Sequence, residues 1–103
     1  IIDLMSKPLK PLSKREIERF LNKYPDWRAN KLNTCLSRNF YFSNYMDGLI
    51  FIARISVHAE VFNHHPDVTL SYGKVKVCLK THDIKSLSKK DLVLGKKIES
   101  LYR

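Results

Sequence analysis

Three of the chain's four histidines fall within residues 62–82, FNHHPDVTLSYGKVKVCLKTH. Imidazole titrates near neutrality, so three of them around one pocket would give a single site both proton donors and proton acceptors. Pro66 fixes its own φ and biases His65 toward extended backbone, which presents His64 and His65 in different directions from a defined main chain. His82 closes a run that alternates like a strand. If that strand lies beside the preceding one, His82 returns to the His64–His65 pair across a pocket.

Each histidine also has a structural explanation. His58 follows Asp47 and Arg54 on a polar stripe of a helix, and His64 or His65 would interact well with a helix C-terminus. Metal binding is the sharp chemical rival, because histidine is the commonest metal ligand. Adjacent histidines seldom aim at one ion, however, and neither HExxH nor CxxC occurs; no metal and no cofactor are expected. Nucleophilic catalysis has less support, since no Gly-x-Ser-x-Gly turn is present, although Cys78 shares a strand face with His82. With three glycines in all, a phosphate-cradling loop is not expected.

At 103 residues, 44% of them apolar and 28% charged, the chain is one soluble domain near the size where self-association often adds stability. No apolar run approaches the ~20 residues of a membrane span, and no targeting segment is read, so a cytoplasmic setting is expected, with a nuclear one if the second role below holds. Cys35 and Cys78 match no zinc or redox spacing and are expected to be separate, reduced thiols. The formal charge of +9 comes from lysines scattered from Lys7 to Lys97, which argues for a solvated basic surface rather than a nucleic-acid footprint.

The elements that position the histidines follow from periodicity. Residues 1–12, with Pro8 and Pro11, form a flexible arm, and a single domain covers 13–103. Ser13 and Glu16 make a capping box ahead of a helix near 14–24, whose apolar face is Ile17, Phe20, Leu21 and Tyr24 before Pro25 stops it. Trp27 opens an extended segment, and Leu36, Phe40 and Phe42 alternate with polar neighbours in a second strand. Residues 44–63 form a helix apolar around most of its circumference. A sheet covers one side of such a helix, so the rest is expected to pack on a second copy, with Val57 facing outward. Strands then span 68–72 and 74–82 around Gly73, with Val75, Val77, Leu79 and Thr81 on one face and Lys80 and His82 on the other. Ser88 and Asp91 cap a closing helix bearing Leu94, Ile98 and Leu101. The fold class is α+β, in the order α-β-β-α-β-β-α, with helices packed on one face of a four-stranded antiparallel sheet.

The combination His64-His65-Pro66, Tyr72, Thr81-His82, Leu87-Ser88 and Asp91 resembles the signature of the pterin-4a-carbinolamine dehydratase family. The resemblance extends to Trp27, to Leu36-x-Arg38-x-Phe40-x-Phe42 and to Ala59-Glu60, over about residues 13–102. It implies dehydration of a 4a-hydroxytetrahydropterin to the quinonoid dihydropterin, the recycling step after an aromatic amino acid hydroxylase, without a metal. By the same resemblance His64 and His82 are acid/base groups on the two sides of the pterin, and His65 chiefly binds and orients it. Glu60, Asn63, Lys80 and Thr81 line the pocket, the last two largely through backbone groups, and Asp91 is either a helix-cap residue or one standing behind the site.

Two departures stand out. Val68 occupies the place of the family's usual Trp, which bears on pterin affinity, and Ser86-Leu87 replaces Gly-Leu. The family resemblance also implies a second role, since some members act as dimerisation cofactors of a transcription factor through the long helix. The partners expected are therefore a pterin and a second copy, as dimer or tetramer, through helix 44–63.

Overall fold

The computed structural model describes residues 9–102. Helix α1 spans Lys14–Lys23, followed by strands β1 (Arg28–Ala29) and β2 (Leu36–Tyr41), helix α2 (Tyr45–Phe62), strands β3 (Asp67–Ser71) and β4 (Lys74–Leu79), a 3-10 turn (His82–Ile84), and helix α3 (Lys89–Leu101). The sheet is antiparallel throughout, in the order β1-β2-β4-β3. This is the expected α+β order. Most of the expected arm, residues 1–8, lies outside the described residues. Leu12 is anchored, its N–H donating to Leu87 O at 2.9 Å and its side chain packing against the core.

Local signals set the helix ends. Ser13 Oγ accepts from the Glu16 N–H while the Glu16 carboxylate accepts from the Ser13 N–H, closing the capping box. The bond from the Ser13 backbone holds the Glu16 carboxyl below its ordinary range. Asn44 caps α2 by accepting from the Asp47 N–H at 2.8 Å.

The inward side chains of β2 and β4, Leu36, Phe40, Val75, Val77 and Leu79, are fully buried under the helices. Each such burial contributes about 1.5–3 kcal/mol. Helix α2 approaches closely at Gly48, where a Cβ would stand 3.0 Å from Leu70 Cδ1 and 3.2 Å from Val75 Cγ2. It lays Phe51, Ile55, Ala59 and Phe62 on the sheet, the i, i+4, i+8, i+11 stripe of one helix face. Its far side leaves Met46, Leu49, Ile50, Val57 and Val61 exposed, Val57 at 61%. Trp27 is buried and donates its indole N–H to Glu99 Oε2 at 2.9 Å.

One expectation fails at the end of β4. The ladder stops at Leu79, and His82 begins the 3-10 turn instead of ending a strand. Thr81 and Ser86 pair backbone to backbone across this turn, and Lys85 closes it at φ 50°. Alternation continues through Thr81, which is buried, so side-chain pattern alone extends the strand past its last ladder bond.

Candidate active site

Strand register brings the histidine segments together. Asp67, the first residue of β3, pairs with Cys78, next to the last residue of β4. The His64-His65-Pro66 segment just before β3 and the Lys80-Thr81-His82 segment just after β4 therefore emerge at the same end of two hydrogen-bonded strands. The N-terminus of α3 meets them there through Asp91.

The entry into this site is a helix ending. The His64 N–H reaches back to Ala59 O at 3.0 Å and the Asn63 N–H to Glu60 O at 3.2 Å, the paired bonds of a Schellman closure. Asn63 takes the left-handed conformation this closure requires, at φ 51°, a position asparagine tolerates better than most residues. Asn63 thus turns the chain so that His64 becomes buried while His65, one residue on, is exposed.

His64 Nε2 lies 2.7 Å from Asp91 Oδ1. Asp91 is completely buried, and its Oδ2 accepts from Thr81 Oγ1 at 2.7 Å and from the Ser88 N–H at 2.9 Å. Ser88 Oγ stands 2.6 Å from Thr81 Oγ1. The protons have one economical arrangement: Ser88 O–H donates to Thr81, Thr81 O–H donates to Asp91, and Ser88 Oγ accepts from the Lys90 N–H at 3.3 Å. A carboxylate at the first turn of α3 also interacts favourably with the helix dipole. Asp91 as an acceptor then fixes the His64 proton on Nε2 and leaves Nδ1, which bonds no protein group among the described residues, as the ring nitrogen free for other work.

His65 Nε2 pairs with Glu60 Oε2, and both side chains are exposed. His82 is exposed and lines a pocket of about 230 Å³ with Thr34, Lys80, Thr81 and Lys85. Thr81 belongs to both parts, lining the His82 pocket and bonding Asp91. Among the described residues no group of three histidine, cysteine or acidic side chains is placed to share a metal ion. A larger cleft of about 450 Å³, lined by Asp26, Arg28, Arg38 and Lys76 among others, contains no histidine.

The family model for pterin 4 alpha carbinolamine dehydratase matches residues 10–101. The chain belongs to that family. A protein of Halorhodospira halophila, provisionally named as a pterin-4-alpha-carbinolamine dehydratase, is 34% identical over 88% of this chain and 84% of its own length. One of Rhodospirillum rubrum with the same provisional name is 38% identical over 82% of this chain and 88% of its own. The fold is similar to that of the transcriptional coactivator/pterin dehydratase of Brucella melitensis, with a TM-score of 0.85 at 23% identity, over 91% of this chain and all of that one.

Asp91 ties the helix cap to the histidine: His64, Thr81, Ser88 and Asp91 form one buried hydrogen-bonded group. The side chains of Thr81 and Ser88 are the part that sequence reasoning missed. Ser88-x-x-Asp91 was legible as a capping box, but nothing local announces that its acid also accepts from a histidine 27 positions away. Tyr72 sits in the β3–β4 turn and is highly exposed. Val68 pairs with Val77 and packs partly buried against the core.

Proposed function

We propose that this member of the dehydratase family removes water from a 4a-hydroxytetrahydropterin, giving the quinonoid dihydropterin, by histidine acid/base catalysis during tetrahydrobiopterin recycling. The observation that carries the reading is the convergence of the His64 and His82 segments at one end of β3 and β4, with His64 backed by a buried carboxylate.

Hydroxide is a poor leaving group. It departs as water once an acid has placed a proton on the 4a-oxygen, while a base takes a proton from the ring-nitrogen side to complete the new double bond. His64 and His82 are the two groups assigned to these steps. Asp91 holds His64 in one tautomer and stabilises the imidazolium when the ring carries its second proton, the role a buried carboxylate plays behind any catalytic histidine. His65, steadied by Glu60, binds and orients the pterin. Lys80 and Thr81 present backbone groups along the His82 pocket, and Asn63 acts by setting the direction in which His64 and His65 leave the helix.

The test is turnover of synthetic 4a-hydroxytetrahydropterin by the purified chain in the presence of a chelator. Acceleration over the uncatalysed dehydration is expected. A rate no faster than buffer, or one lost to EDTA and restored by zinc, defeats the reading.

The exposed apolar strip on α2 favours self-association as the structural accompaniment, most simply a helix packing on its own copy. The same strip supports a second reading, in which the chain is a protein-binding dimerisation cofactor. The Brucella melitensis protein of similar fold is described as a coactivator as well as a dehydratase. A chain that binds a partner protein while failing to turn over the pterin would favour that role.

A further inference from the structure

Cys35 and Cys78 are far apart in sequence, which suggests two unrelated thiols; strand pairing makes them neighbours. Ser37 pairs with Cys78 across β2 and β4. Cys35 lies two residues before Ser37 and so shares its side of the sheet, diagonal to Cys78. Both residues are half-buried, and by strand parity both face the side of the sheet away from the helices; Cys35 Sγ donates to Leu36 O at 3.7 Å. Burial pushes the Cys35 thiol up, the adjoining Cys78 and the more distant Asp91 add to this, and Lys80 opposes it.

We propose that Cys35 and Cys78 form an oxidisable dithiol, a modification site for peroxides and small disulfides that closes into an intramolecular Cys35–Cys78 disulfide. With hydrogen peroxide, one thiolate attacks oxygen, the O–O bond breaks, and a sulfenic acid and one water result. The second thiolate then attacks the sulfenic sulfur, the S–S bond forms and a second water leaves. The two thiols lose two electrons and the peroxide gains them.

The geometry is within reach of this step. A disulfide needs Cα atoms closer than about 7 Å, and diagonal neighbours of an antiparallel pair stand about 7–8 Å apart. Cys35 precedes the first ladder residue of β2 and is held by bonds to Asn30, its N–H donating to Asn30 Oδ1 at 3.0 Å. Closing the bond would take a backbone shift at Cys35, outside the β2–β4 ladder and against its two bonds to Asn30. The crosslink would fasten the Thr34–Cys35 segment to β4 just ahead of Lys80, at the wall of the pocket that Thr34 shares with His82.

The experiment treats the reduced full chain with hydrogen peroxide or oxidised glutathione and digests it without reductant. The expected result is a single-chain band near 12.1 kDa on a non-reducing denaturing gel, an intact mass lower by two hydrogen atoms, and one peptide pair joining Cys35 to Cys78, all reversed by dithiothreitol. Cys35→Ser and Cys78→Ser should each abolish the crosslink and, with oxidised glutathione, accumulate glutathione on the remaining thiol. Separate adducts on both cysteines of the wild-type chain, or crosslinks between two chains, would overturn the proposal. The readout is covalent, so it stands apart from the outcome of any pterin assay.

Discussion

Asp91, with no exposure of its own, accepts hydrogen bonds from His64 and Thr81 side chains and from the Ser88 backbone, and so joins the start of α3 to both ends of the histidine site. A carboxylate buried to this degree holds its place because each partner is a donor. The same contacts cap the helix and fix the imidazole, so on the proposed dehydratase reading stability and catalysis would share one residue.

That sharing can be separated by two substitutions. Asp91→Asn keeps the shape but replaces one carboxylate oxygen by an amide donor, so the His64 proton no longer has a fixed acceptor. On the dehydratase reading kcat should fall by about 10²-fold or more while KM changes far less. The His64 ring-nitrogen chemical shifts should report a changed tautomer. Asp91→Ala leaves the Thr81, Ser88 and His64 donors without their acceptor and should cost about 2–4 kcal/mol in urea denaturation. An Asp91→Asn chain with unchanged kcat would reduce Asp91 to a helix cap.

Role division among the histidines gives a second prediction. His64→Ala and His82→Ala should each chiefly impair one 4a-epimer of the substrate, because on the proposed reading the two rings would approach different sides of the pterin. His65→Ala should raise KM as well as lower kcat. The His64→Ala/His82→Ala double variant should lose less than the product of the two single losses, as groups acting in one site do. Stopped-flow turnover of separated epimers decides it, and equal losses on both epimers from either single variant would sink the division.

What the sequence made legible was what chemistry writes locally. Ser13 with Glu16 and Ser88 with Asp91 announce two helix starts within four residues each, and Val75, Val77 and Leu79 announce a buried strand face by alternation alone. The break after Leu79 was not legible, because Thr81 keeps the inward parity and is drawn in by Asp91, a tertiary bond. The diagonal placement of Cys35 and Cys78 was hidden for a related reason: it depends on which strands pair and in which register, and β4 sits between β2 and β3 in the sheet. Asn63, a pocket-lining residue by resemblance, also ends helix α2 in the left-handed conformation, which its place in the sequence did not announce.

Gly95 supplies a test of packing in α3. A Cβ there would stand 3.0 Å from Phe20 Cζ and 3.3 Å from Leu79 Cδ1. Gly to Ala in a helix interior gains about 1 kcal/mol of propensity, but overpacking a fixed core costs about 1–3 kcal/mol. Phe20 and Leu79 are both buried, Leu79 completely, so the packing cost should win. Gly95→Ala is expected to lower the midpoint of urea unfolding; a higher midpoint would show that the Phe20 ring yields.

Assembly is the last test, and it rests on the outward face of α2. Met46, Leu49, Ile50, Val57 and Val61 recur at three-, four- and seven-residue spacing along that face, and all are exposed in the single chain. An apolar strip of this length in water favours association, and an isologous contact, in which the strip meets itself, closes without leaving a free copy of the surface. Sedimentation at micromolar concentration should then give a mass that is a multiple of 12.1 kDa. Val57→Glu places a carboxylate in the centre of the strip, where it would be desolvated and would face its own symmetry mate, so the assembly should fall apart. Because Val57 is 61% exposed in the isolated chain, the substitution should leave the monomer folded, with far-ultraviolet circular dichroism unchanged. A wild-type chain that sediments as a monomer throughout that range would leave the strip without the partner assigned to it.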